Sequence, residues 1–101
     1  MPNDLVPSEF MSLIEKDLER TFPGHPFFMN DFHLQGLKAL LINIVRLNPD
    51  QGYCQGMNSV AGVFLLVSSN NVLESSIMMH IFINKYGGKG LTVLYFFQPV
   101  G

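Results

Sequence analysis

The sequence has no tryptophan and a single cysteine, Cys54, among its 101 residues. One thiol cannot close a disulfide within the chain, which fits a reducing compartment. Charge is scarce: Asp, Glu, Lys and Arg make up 14% of the residues, against roughly 25% in an ordinary domain. The six Lys and Arg are scattered, the net charge is -2 and the pI is near 5.8. No basic patch is available for nucleic acid or for polybasic docking to a membrane. Long apolar runs are missing too. The longest spans residues 60–67 with Gly62 inside it, far short of the ~20 residues of a membrane span, so no transmembrane segment is expected. The opening MPNDLVPSEF has neither the positive n-region nor the apolar h-region of a signal peptide. The expected location is cytoplasmic. Internal repeats and low-complexity blocks are absent.

What remains is strongly apolar: 48% of the chain is hydrophobic, with nine Phe. This is far from a disordered composition, and the length fits one domain, residues 1–101. So small a domain has much surface to cover. Its apolarity implies that part of the surface meets a partner or further chain, or supports self-association.

Hydrophobic spacing predicts four helices and an all-α fold. The first spans residues 9–19, with Ser8 as a cap and Phe10, Leu13, Ile14 and Leu18 in one stripe. TFPGHPFF then forms a loop around Pro23, Gly24 and Pro26. The second spans residues 32–47, on Leu34, Leu37, Leu40, Leu41, Ile44, Val45 and Leu47, and ends at NPDQG, where Pro49 constrains Asn48. The third opens near Cys54 or Gln55 and runs to Ser68; apolar nearly all round, it should be central. SSNN is a turn or cap. The fourth spans residues 73–86, on Leu73, Ile77, Met78, Ile81 and Phe82, and is stopped by Gly87 and Gly88. Beyond Gly88, LTVLYFF reads as a strand by composition or as a stub of another apolar element.

Two polar clusters stand beside breaks in this pattern. In IEKDLERTFP, Asp17 and Arg20 are three apart and share a helix face. In GYCQGMN, Tyr53, Gln55 and Asn58 gather at the mouth of a buried helix. Each taken singly has an ordinary explanation. An Asp–Arg pair at that spacing is usually a solvated pair worth a few tenths of a kcal/mol. Gln55 could be a cap, Tyr53 a half-buried aromatic with a satisfied hydroxyl, and Asn58 a partner of local backbone.

Taken together, the two clusters resemble the TBC-domain family of GTPase-activating proteins for Rab GTPases. Ile14, Asp17 and Arg20 match I-x-x-D-x-x-R; Tyr53, Gln55, Gly56, Met57 and Asn58 match Y-x-Q-G-M-N. Order and spacing also agree, over residues 14–86. The resemblance implies a dual-finger activator of GTP hydrolysis by a Rab-type small GTPase, acting in vesicle traffic. Arg20 would be the arginine finger, neutralising charge on the phosphate. Gln55 would be the glutamine finger, whose amide accepts from the attacking water while donating to a phosphate oxygen. Asp17 would orient Arg20, Tyr53 and Asn58 would brace the segment around Gln55, and Gly56 would let the backbone approach closely. GTP and Mg2+ would belong to the partner, with no cofactor held by this chain. The partner would also offer a route to the surface of endomembranes. The family's domain is about twice this length, so the chain reads as a truncated TBC domain. That leaves an alternative: a non-catalytic helical fragment that binds a partner through its apolar surface.

Other motifs carry less. YGGKG lacks the spacing of a phosphate loop and reads as a helix stop. His25, His33 and His80 have no metal-ligand spacing; His25 should lie in a loop, His33 near a helix start and His80 along the fourth helix. Cys54 lies at an expected helix start, where a thiol pKa can fall, yet no base is near in sequence and a packing role is favoured.

Overall fold

The computed structural model describes residues 6–86 and contains α1 (Ser8–Leu18), α2 (Asp31–Leu47), α3 (Met57–Val67) and α4 (Val72–Tyr86), with a 3-10 turn at Pro26–Met29. No strand occurs among the described residues, and the fold is all-α. Gly87 and Gly88, expected to stop the fourth helix, and the segment beyond them, with LTVLYFF, lie outside the described residues.

Local chemistry explains the helix ends. The cap of α1 is Pro7, not Ser8, which is already helical; no side chain caps this end. Proline suits the place because its fixed φ of -55° matches the extended cap, while its carbonyl accepts the N–H groups of Phe10 and Met11. Asn30 caps α2 by accepting the Phe32 N–H at 2.8 Å. Asn48, ahead of Pro49, leaves the helical region at φ -131° and ψ 63°. Its side-chain amide donates back to the Ile44 carbonyl at 2.9 Å. SSNN does two jobs: Ser68 ends α3, and Asn71 caps α4 by accepting the Glu74 N–H at 3.0 Å.

The second helix, rather than the third, is the hub. It packs against α1, the 3-10 turn, α3 and α4. Leu37, Leu40, Leu41 and Ile44 on its inner side are fully buried, as their spacing of three and four residues requires. Ile14 of α1 and Met57, Ala61 and Leu65 of α3 close on this stripe. Helix α3 is buried on one side only, leaving Val63, Leu66 and Val67 exposed. In α4, Leu73, Ile77 and Ile81 also face outward, while Ser75, Ser76, Met79 and Ile83 are buried. This helix carries two apolar stripes, and packing chose the one containing small hydroxyl residues. Serine permits close approach and finds partners here: Ser75 Oγ donates to the Phe64 carbonyl at 3.2 Å, and Ser76 Oγ accepts from Asn43 Nδ2 of α2 at 3.1 Å.

The hub position predicts a strong contrast. Leu40→Ala should lower the unfolding free energy by about 2–5 kcal/mol in urea titrations. Leu73→Ala, at a side chain 71% exposed, should change it by less than about 0.5 kcal/mol.

Candidate functional site

Helix α1 ends at Leu18, and Arg20 stands in the turn beyond it. The spacing of Asp17 and Arg20 suggested a shared helix face, which they therefore do not have. They still approach: Arg20 Nη1 lies 3.6 Å from Asp17 Oδ1, with the arginine side chain 72% exposed and the aspartate 18%. That distance is an ion pair but not a hydrogen bond. The end of α1 is closed by Thr21, whose hydroxyl donates to the Asp17 carbonyl at 2.7 Å. This satisfies one of the carbonyls that a helix end leaves open.

The second motif begins after α2. Gly52 adopts φ +67°, and a Cβ there would stand 2.6 Å from Phe10 Cζ of α1. Glycine suits both the left-handed backbone and the close approach of that ring. Tyr53 follows, buried, and its hydroxyl donates to Asp17 Oδ2 at 2.6 Å. Next comes a tight turn in which the Met57 N–H donates to the Cys54 carbonyl at 3.1 Å. Gly56, at φ 96° and ψ -13°, has the geometry of the third position of a type II turn. Gln55 occupies the second position, exposed at the tip. Helix α3 thus starts at Met57, later than Cys54 or Gln55, because a left-handed Gly56 cannot belong to a right-handed helix. The turn alone is sufficient reason for glycine at 56.

Asn58, in the first turn of α3, points back to α1. Its amide donates to Thr21 Oγ1 at 3.0 Å and more weakly to the Asp17 carbonyl at 3.4 Å. A continuous network therefore joins Asp17, Thr21, Tyr53 and Asn58. Two further residues shape the turn after Arg20. Phe22 has φ 44°, a left-handed conformation costing roughly 1–2 kcal/mol for a residue with a Cβ. Gly62 of α3 lies against it: a Cβ at Gly62 would be 3.0 Å from both Phe22 Cε2 and Thr21 Cγ2. Sequence reasoning missed Thr21, Phe22 and Gly62. The signals were faint: a threonine between a charged residue and FPG, and one glycine inside an otherwise apolar run.

Burial pushes the Cys54 thiol up from its ordinary value, and the nearby Gln51 partly opposes the shift. The thiol is half-buried before α3 begins, so it does not gain from a helix start. His25 accepts the Phe27 N–H within the loop, at 3.1 Å. The His33 ring, near the start of α2, stacks on Phe27 with centroids 3.8 Å apart, and its Nδ1–H donates to the Phe27 carbonyl at 2.7 Å. His80 lies along α4, next to Asn84. Among the described residues, no three His, Cys, Asp or Glu side chains gather as a metal site would need.

The structure thus ties the first motif to the second through part-buried hydrogen bonds and leaves one arginine and one glutamine exposed beside them. A family model of the Rab-GTPase-TBC domain matches residues 1–93. The chain belongs to this family. Among curated relatives, Growth hormone-regulated TBC protein 6 of Caenorhabditis elegans is 35% identical over 88 residues, covering 85% of this chain and 27% of that protein. GTPase-activating protein GYP3 of Saccharomyces cerevisiae is 38% identical over 63 residues, covering 55% of this chain and 10% of that protein. GTPase-activating protein gyp2 of Schizosaccharomyces pombe is 34% identical over 58 residues, covering 57% and 8%. This TBC chain therefore spans about a quarter or less of the length of these relatives. No solved structure matches it. Among the described residues, no helix is long and apolar enough to cross a membrane.

The network makes an alkaline prediction. Burial first, and then the bond to Asp17, hold the Tyr53 phenol far above the usual tyrosine range. The folded chain keeps Tyr53 neutral where an unfolded chain ionises it, near pH 10. Stability from this group is complete below about pH 10 and is lost as pH rises further. In an ultraviolet phenolate titration, one of the three tyrosines should therefore stay neutral until the chain unfolds. Tyr53→Phe should remove that late titration and lower stability by about 1.5–3 kcal/mol.

Proposed function

We propose that this TBC chain activates GTP hydrolysis by a Rab-type small GTPase, with Arg20 as the arginine finger and Gln55 as the glutamine finger. The observation that carries the reading is the 2.6 Å hydrogen bond from Tyr53 to Asp17. It fastens the turn bearing Gln55 to the end of α1, just before the turn that bears Arg20. Each finger lies within three residues of that bond along the chain, and both are exposed.

Hydrolysis on such a GTPase requires charge on the transferring phosphoryl group to be neutralised and a water to be held in line with it. A guanidinium does the first through its planar fork of donors. A carboxamide does the second, because its oxygen accepts from the water while its nitrogen donates. GTP and Mg2+ belong to the partner, and this chain supplies positioning and charge. Asp17 steers Arg20 by its field. Tyr53, Asn58 and Gly56 keep the backbone of the Gln55 turn fixed, so only the exposed finger side chains have to be ordered when the partner arrives.

Single-turnover GTP hydrolysis, measured across a panel of Rab-type GTPases with and without the chain, tests the reading. Arg20→Ala should cut the stimulated rate by about 10³-fold or more. Arg20→Lys should not restore it, since an ammonium lacks the planar fork. Gln55→Ala should also abolish most of the stimulation while leaving the fold intact. Full stimulation by both alanine variants would overturn the assignment.

A second reading has its own observation. Val63, Val67, Leu73, Ile77 and Ile81 stay exposed on α3 and α4. A non-catalytic fragment that binds a partner, or another copy of itself, through this face would keep that binding when both fingers are replaced. Loss of binding in the folded Arg20→Ala, Gln55→Ala double variant would remove this reading.

A further inference from the structure

Arg20 has little to hold it through its own side chain among the described residues, where its ionic partner Asp17 is 3.6 Å away. Its aim depends on the backbone that carries it. Phe22, two residues on, sits at φ 44°, where bulky side chains are rarely found. Pro23 follows and disfavours the right-handed helical region for Phe22. Three neighbours fix the residue in this unusual state. The ring edge lies over Gly62 of α3, where a Cβ would stand 3.0 Å from Phe22 Cε2. The ring also meets buried Phe28, with centroids 5.7 Å apart. The Phe22 carbonyl accepts the His25 N–H at 3.0 Å. A strained residue persists only where its surroundings determine it, and here the surroundings come from both α3 and the 3-10 turn.

We propose that Phe22 is a positioning residue for Arg20. Its ring, packed against Gly62 and Phe28 in a residue 36% exposed, sets the direction in which the chain leaves α1 and so aims the guanidinium. Gly62 is part of the device, because a side chain there would push both Thr21 and Phe22 outward. The kinetic consequence rests on the proposed role of Arg20 as a finger; the conformational one does not.

Two measurements on the full chain test this. The first is backbone 15N relaxation on the wild type and on Phe22→Ala. The amides of Glu19, Arg20 and Thr21 should become more mobile, while those of α3 keep their order. Unchanged mobility at residues 19–21, or equal loosening throughout the chain, would overturn the proposal. The second is a cycle of Phe22→Ala and Arg20→Ala in Rab-stimulated GTP hydrolysis. Phe22→Ala alone should lower the maximal rate about tenfold or more, with little change in the half-saturating concentration. In the Arg20→Ala background it should lower the rate no further. Equal losses in both backgrounds would show that Phe22 does not act through Arg20. If Arg20→Ala itself costs nothing, the proposed function fails, and the relaxation data alone decide whether Phe22 fixes the turn.

Discussion

The hydrogen bond from the Tyr53 hydroxyl to Asp17 is the constraint on which the arrangement of this chain turns. It spans 36 positions in sequence at 2.6 Å and joins the end of α1 to the segment leading into α3. A part-buried bond from a neutral donor to a carboxylate contributes about 1.5–3 kcal/mol. Among domains with net stabilities of only about 5–15 kcal/mol, that is a large fraction. Its loss would strand a carboxylate and a phenol in a poorly solvated place. Asn58 and Thr21 extend the connection, so the two segments are joined at several points.

This explains why polar residues crowd the mouth of an apolar helix. The core formed by α2, α3, α4 and Ile14 provides rigidity but no chemistry. The polar network converts that rigidity into fixed directions for the segments that leave it. One glycine makes the sharp turn under Gln55, and another lets Phe22 and Thr21 lie close against α3. Asp17 divides its carboxylate between a short bond to Tyr53 and a long ion pair with Arg20. It is therefore held firmly on one side and acts on the arginine more by field than by contact.

Much of this was legible in the sequence. Residues spaced by three and four gave four helices, and Pro, Gly and Asn clusters marked those ends that lie among the described residues to within a few residues. The site motifs were visible because polar side chains stood beside breaks in apolar patterns. What escaped had specific causes. Ser8 looked like a cap, but Pro7 took the role, since its carbonyl and fixed φ suffice without a side-chain oxygen. Helix α4 offered two apolar stripes, and local pattern cannot tell which one a neighbour will cover; Met79 and Ile83 went inward while Leu73, Ile77 and Ile81 did not. Helix α3 was apolar nearly all round, yet it covers only one side of α2. The strain at Phe22 and the close approach at Gly62 arise from packing between distant segments, which no single stretch of sequence records.

The dependence on the Tyr53–Asp17 bond is tested most directly by urea unfolding of four proteins: the wild type, Tyr53→Phe, Asp17→Asn and the double variant. The bond as described predicts a coupling free energy of about 1–3 kcal/mol, with the second substitution costing much less once the first is present. Losses that add to within about 0.5 kcal/mol would contradict it. The two motifs would then be neighbours without being joined, and the fingers would need another mount.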